Sequence, residues 1–167
     1  MRGMKAIMAL ACCLITAWAM SGCATSVTEP ARKARLQVIP DKVVIGPQLL
    51  KEPVKFSGSG FGSKEMVVVE MVVPPEVEMK GVKKGEDVGL AYGTCDEAGN
   101  FEAAMAPTAT LNWFFRTEWS PTLAPDLKQA KPLPPARYEI RATGLDSGAV
   151  GQAYLEVVSA PSPAPKK

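Results

Sequence analysis

The segment Arg137-Tyr-Glu-Ile-Arg-Ala-Thr143 alternates without a break: Tyr138, Ile140 and Ala142 fall on one face, and Arg137, Glu139, Arg141 and Thr143 on the other. A period of two selects a strand with one buried and one wet face and is incompatible with a helix of the same residues. Val54-Lys-Phe-Ser-Gly58 alternates apolar with polar or small residues, and Leu36-Gln-Val-Ile39, Val43-Val-Ile45, Val88-Gly-Leu-Ala-Tyr-Gly-Thr94, Asn100-Phe-Glu-Ala-Ala-Met105 and Ala153-Tyr-Leu-Glu-Val-Val158 are short apolar-rich runs set off by turn signals. Glu65-Met-Val-Val-Val-Glu-Met-Val-Val73 is longer and rich in valine. Its β-branching favours a strand over a helix, and its near-continuous apolar run predicts burial on both faces. Pro74-Pro75 ends it. Asp96-Glu-Ala-Gly99 is read as the turn of a hairpin joining the strands before and after it. Leu145-Asp-Ser-Gly148 turns the chain into the last strand. No stretch carries a 3.6-residue apolar period of helix length. About seven short strands with regular turn signals predict an all-β, antiparallel β-sandwich over residues 35–158.

The first residues obey a different logic. Arg2 and Lys5 precede an apolar stretch from Ala6 to Met20, broken by Thr16, and the small residues Ser21 and Gly22 lead into Cys23. A positive start, an apolar centre and a small-residue exit are the marks of a signal peptide, and the centre is shorter than the ~20 residues that span a bilayer. Met20-Ser-Gly-Cys23 resembles the lipobox of bacterial lipoproteins, with Met20 in the place usually held by leucine. The resemblance implies cleavage before Cys23 and a diacylglyceryl group on its thiol. Each buried methylene contributes ~0.8 kcal/mol, so two or three acyl chains hold a protein on a membrane where one would not. Ala24 follows the cysteine where an aspartate would signal retention, so the resemblance implies the outer membrane, facing the periplasm or the cell surface. Residues 1–22 are then a leader, 23–34 a lipidated start and polar tether, and 159–167, alternating proline with small residues, an extended tail without a core.

Removing the leader leaves 145 of 167 residues, enough for one domain with a core. Of 19 basic residues two, Arg2 and Lys5, leave with it, so 17 basic face 17 acidic residues. A balanced domain carries no basic face for nucleic acid. Cys12 and Cys13 are lost with the leader and Cys23 is taken by lipid. Cys95 stays as a lone thiol, expected to be a small buried strand residue or, alternatively, to pair between molecules. Histidine is absent. That removes Ser-His-Asp and Cys-His catalysis and histidine-ligated zinc, and no Asp/Glu pair stands out for a carboxylate-dependent hydrolase. No enzyme activity and no cofactor are expected.

Three motifs resemble the bacterial immunoglobulin-like domains of exported proteins. They are the glycine-rich turn and strand from Phe56 to Val69, the Asp96-Glu-Ala-Gly-Asn-Phe101 hairpin, and Pro135-Ala-Arg-Tyr-Glu-Ile-Arg-Ala-Thr-Gly144, with Ala136 in a place usually held by glycine. The resemblance spans most of residues 50–158 and implies the fold, while spacers, adhesins and binding modules all use it. Gly58, Gly60 and Gly62 are read as a tight reversal; their spacing is not that of a dinucleotide loop. Asp96, Glu97 and Asn100 bring hard oxygens together, and a hairpin turn explains them with fewer assumptions than calcium.

Residues 105–135 depart from the strand-and-turn pattern. Pro107, Pro121, Pro125, Pro132, Pro134 and Pro135 interrupt them, and four of the eleven aromatic residues lie within 113–119. A connection this long is functional more often than bare. Trp113, Phe114, Phe115, Arg116 and Trp119 are therefore the candidate partner-binding residues. Strand-like alternation would point Trp113 and Phe115 inward and Phe114 outward. The opposing reading makes Trp113 and Phe115 core residues and Trp119 a cap. The charged segment 74–87 is expected to be a solvated loop. Together these features predict a lipid-anchored, non-catalytic binding or structural module of the cell envelope, held to the membrane through Cys23, with a protein or glycan partner. The alternatives are an accessory subunit of an envelope secretion or assembly complex and, less favoured, an envelope hydrolase.

Overall fold

The computed structural model describes residues 33–159. Cys23 and the segments 1–32 and 160–167 lie outside the described residues. The ten strands among the described residues are β1 (Arg35–Ile39), β2 (Lys42–Val44), β3 (Lys55–Ser59), β4 (Met66–Met71), β5 (Val88–Thr94), β6 (Phe101–Ala104), β7 (Glu118–Trp119), β8 (Pro125–Asp126), β9 (Ala136–Gly144) and β10 (Val150–Val158). The chain is mostly β, and its sheets are antiparallel except where β2 runs parallel to β10. One sheet has the order β1-β3-β6, a second β2-β10-β9-β4-β5, and β7 and β8 form a small ribbon. β1 belongs to the first sheet and β2 to the second, so the chain crosses between them at Pro40-Asp41.

Both larger sheets feed one apolar cluster. Val38, Phe56 and Phe101 come from the first; Val67, Val69, Met71, Leu90, Tyr138, Ile140, Ala142 and Leu155 come from the second. Tyr138, Ile140 and Ala142 are buried as their alternation demands, and their neighbours Glu139, Arg141 and Thr143 are half-buried on the opposite face. β4 departs from the expectation of burial on both faces. Val67, Val69 and Met71 are buried, whereas Val68 and Glu70 are half-buried. The reason is that the outer face of the second sheet is solvated, with Arg141 bridging Glu139 and Asp87 beside Glu70. The register of β5 against β4 shifts by one residue at a bulge between Val69 and Glu70, where both Leu90 and Ala91 are buried.

The registers give the body two distinct ends. The chain enters beside Val150, where the Ala34 N–H donates to the Val150 carbonyl at 3.1 Å. The turns after β3, β5 and β9 gather at this entry end: Phe61 N–H donates to Gly99 O at 3.2 Å and Lys64 N–H to Asp96 O at 3.2 Å. β6 runs away from the entry end and β9 runs back toward it, so residues 105–135 between them lie at the opposite end. The segment 72–87 between β4 and β5 lies there too.

Candidate functional site

Within the long connection 105–135, the strand-like alternation considered for Trp113, Phe114 and Phe115 is replaced by helical turns. Pro107–Ala109 form a short helix α2 (α1 is Gln48–Lys51), which runs on into a π-helical turn over Thr110–Phe114. Pro107 at the first position suits a helix start, because its missing N–H would have no partner there. The Phe115 N–H donates to Thr110 O at 3.0 Å, and the Thr110 hydroxyl donates to Ala106 O at 3.2 Å.

Helical geometry redistributes the aromatic side chains. Phe114 is fully buried and Phe115 nearly so, which corrects the outward placement of Phe114. Consecutive residues on a helix diverge by ~100°, so two neighbours can both reach the interior, which a strand forbids. Phe114 has no surface to offer a partner. Trp113 is half-buried and its indole N–H donates to Gly89 O at 3.0 Å, on β5, the edge strand of the second sheet. Ala106 N–H covers the neighbouring Leu90 O at 3.0 Å. Together they tie the excursion to β5 where unpaired backbone would otherwise be left open.

Arg116 is structural as well. It sits at φ +48, and its guanidinium donates to Lys131 O at 2.5 Å and to Glu78 O at 2.8 Å. One side chain thus clamps the excursion to the segment 74–87. Lys80 pairs with Glu118 across the same seam. That segment is less solvated than its charges suggest: Met79 is buried, and Val77 and Val82 pack against the core. Val73, Val77, Met79 and Val82 line a shallow cleft of about 350 Å³ with Lys83 and Lys84 at its rim.

What the excursion exposes is the β7–β8 hairpin. Leu123 N–H donates to Ser120 O at 2.9 Å, closing a turn over Pro121 and Thr122. Ser120 N–H donates to Ala124 O at 2.9 Å, and the Ser120 hydroxyl accepts from Ala124 N–H at 3.1 Å and meets the Thr122 hydroxyl at 2.9 Å. Leu123 then takes φ +58. A three-residue hairpin loop of this kind ordinarily places glycine at the left-handed position. Leu123 is 79% exposed, Leu127 52% and Trp119 40%. Trp119 is held against the root of the hairpin by its indole N–H, which donates to Asn112 Oδ1 at 2.7 Å. Of the five sequence candidates, only Trp119 is an exposed apolar side chain; Leu123 and Leu127 carried no sequence signal.

The remaining chemical groups are committed elsewhere. Asp96 Oδ1 accepts from the Ala98 and Asn100 backbone N–H groups, each at 2.9 Å, and Oδ2 accepts from Asn100 Nδ2 at 3.1 Å. The Asn100 donors chiefly hold this carboxyl below its usual range. It is the latch of a turn, with Gly99 at φ +77 pressed against Phe61 O. Among the described residues no three His, Cys, Asp or Glu side chains gather as a metal site. Cys95 is buried, and burial, with the Glu65 and Asp96 charges, pushes its thiol pKa up. Glu65, only 2% exposed, accepts from Asp146 N–H at 3.1 Å, Ser147 N–H at 2.9 Å, the Ser147 hydroxyl at 2.7 Å and Gly62 N–H. Burial pushes its pKa up, but these four donors outweigh it and hold the carboxyl below its usual range. It fastens together two turns at the entry end. Searches of protein-family models and of curated proteins return no match to this chain.

Proposed function

We propose that this chain is a lipid-anchored envelope protein whose β-structure, an immunoglobulin-like sandwich, is a non-catalytic module that docks at the end opposite its anchor. The observation that carries the reading is this polarity: the chain enters beside Val150, and the exposed hairpin lies at the other end. A module joined to a membrane at one end and presenting its irregular loops at the other is the arrangement of a tethered binder. Three features support the immunoglobulin-like assignment. The first two strands divide between two sheets. Both sheets share one core. The buried Tyr138, near the start of β9, donates its hydroxyl to Pro134 O four residues upstream at 2.8 Å, in the manner of a tyrosine corner.

The anchor rests on Met20-Ser-Gly-Cys23. Metabolic labelling with palmitate, followed by fractionation, tests it. The wild type takes up label and sediments with membranes, and Cys23→Ala does neither. Unlabelled wild type, or a Cys23→Ala protein that still sediments with membranes, contradicts the anchor. The alternative of an accessory subunit in an envelope complex draws support from the rigid mounting of the hairpin through Arg116 and Trp113, because a docking element fixed in advance loses less entropy on binding.

A further inference from the structure

We propose that Glu65 is an acid-released clasp: its carboxylate holds the turns of the entry end together, and a proton on it opens that end as a unit, exposing Cys95 while the sheets stay folded. The device is independent of the anchoring and docking readings above.

The geometry leaves the proton no place to sit. A carboxylate offers about four acceptor sites, and four donors fill them. Oε2 takes the Asp146 and Ser147 backbone N–H groups, and Oε1 takes the Ser147 hydroxyl and the Gly62 N–H. A backbone N–H cannot reverse, so a proton on Oε2 meets a donor. A proton on Oε1 displaces the Gly62 N–H or turns away the Ser147 hydroxyl, which also accepts from Ala149 N–H at 3.1 Å. The side chain has no room to shift, because a Cβ added to Gly144 would lie 2.4 Å from Oε1. Any donor the proton displaces is left buried without its acceptor.

None of the four donors is a cation. Lys64, from the turn before Glu65, pairs instead with Glu97 at 3.0 Å. Cys95 and Asp96 face it from the end of β5, where the Glu65 and Asp96 charges both act on the thiol. Asp146, in the turn after β9, gives only its backbone N–H. The donors hold the Glu65 carboxyl below its usual range. The clasp is therefore closed above the unfolded pKa of ~4.3 and is released as pH falls through the lower folded value.

What it holds is separable from the sheets. Gly62 belongs to the turn after β3, and Asp146 and Ser147 to the turn after β9. The turn after β5 joins them through Cys95 N–H to Glu65 O at 2.9 Å, Lys64 N–H to Asp96 O at 3.2 Å and Phe61 N–H to Gly99 O at 3.2 Å. These bonds lie outside the ladders that pair β4 with β9 and β9 with β10. Turns can part with the strands still paired, which is local rather than global opening. Cys95 is buried where these turns meet β5. The Asp96 carboxylate, by contrast, latches only its own turn.

The test labels the full-length protein with 4,4′-dithiodipyridine, which reacts with thiols in acid, and reads Cys95 by mass spectrometry of its peptide. Each rate is divided by that of the urea-unfolded chain at the same pH. One proton taken up on opening supports at most ~10-fold per pH unit, and the normalised rate is expected to rise at least ~3-fold from pH 5 to pH 3. Amides of β4, β9 and β10 should keep their protection from hydrogen exchange over the same range. Glu65→Gln should label faster than wild type at pH 5 and lose the acid step, while Asp96→Asn keeps it. A flat wild-type profile, loss of strand protection together with the Cys95 step, or a full step in Glu65→Gln would each overturn the proposal. If Glu65→Gln does not fold, the wild-type profile and its strand protection decide the matter, with Asp96→Asn: a step lost in that variant would assign the device to Asp96 and overturn the role of Glu65.

Discussion

Glu65→Gln isolates one carboxylate that holds two turns together. Glu65 Oε2 accepts from the Asp146 and Ser147 backbone N–H groups, and Oε1 accepts from the Ser147 hydroxyl and the Gly62 N–H. A hydrogen bond to a charged group contributes ~1.5–3 kcal/mol, and bonds sharing one acceptor group are not additive. Glutamine keeps the volume and one acceptor oxygen but turns an NH2 toward two donors. The expected loss is ~2–3 kcal/mol at pH 7, and ~3–4 kcal/mol for Glu65→Ala, which leaves all four donors without this acceptor. Urea denaturation at pH 7 reads the loss; with a slope near ~1.5 kcal/mol per molar, the midpoint falls by ~1.3–2 M for Glu65→Gln. The pH dependence gives an independent check. The folded carboxyl titrates below its unfolded value, so its stabilisation is fully present above the unfolded pKa of ~4.3 and is lost as pH falls through the lower folded pKa. Glu65→Gln should therefore flatten the acid limb of the stability curve. A variant within ~0.5 kcal/mol of wild type at pH 7, with an unchanged acid limb, would refute the role given to this residue.

Other consequences are simpler to check. Cys95 should resist a thiol reagent in the native protein at neutral pH and react after unfolding, because it is buried and its thiol is held protonated. Rapid native labelling would contradict this. Tyr138→Phe should cost ~1 kcal/mol in denaturant titrations by removing the hydroxyl that bonds Pro134 O, and a neutral effect would dismiss the tyrosine corner as a stabilising feature. Arg116→Ala should increase amide hydrogen exchange in segments 74–87 and 115–133 while leaving the sheet strands protected, since it removes both bonds of the clamp. Unchanged exchange would mean the two segments are held by other contacts.

Strands were legible where a single physical rule decides them. β5 spans Val88–Thr94 as read from sequence, and β9 extends the alternating segment by one residue at each end. There, burial of one face leaves a period-two trace. The same rule failed over Trp113–Phe115, because a π-helical turn has no extended repeat to announce it and its aromatic residues imitate a strand. Glu65 looked like an ordinary charge at a strand start; its four donors come from turns up to 82 residues away, and no local pattern encodes them. Of the three glycines read as a reversal, only Gly60 uses positive φ. Gly58 is required instead by the approach of Phe101, whose ring atom would lie 2.3 Å from an added Cβ. Leu123 was invisible for a further reason: it stands where propensity calls for glycine, and only the backbone angle reveals the conflict.

The proposed function requires the β7–β8 hairpin to point away from the membrane. Residues 24–32 could span at most ~30 Å when extended, comparable with the length of a nine-residue strand. The most direct measurement places a fluorophore at Glu97→Cys on the entry end, or at Thr122→Cys on the hairpin, in the full-length lipidated protein on phosphatidylcholine vesicles carrying a lipid-borne quencher. Stronger quenching at position 97 than at position 122 is the predicted result. Stronger quenching at position 122 would mean that the hairpin faces the membrane, the reverse of the proposed orientation.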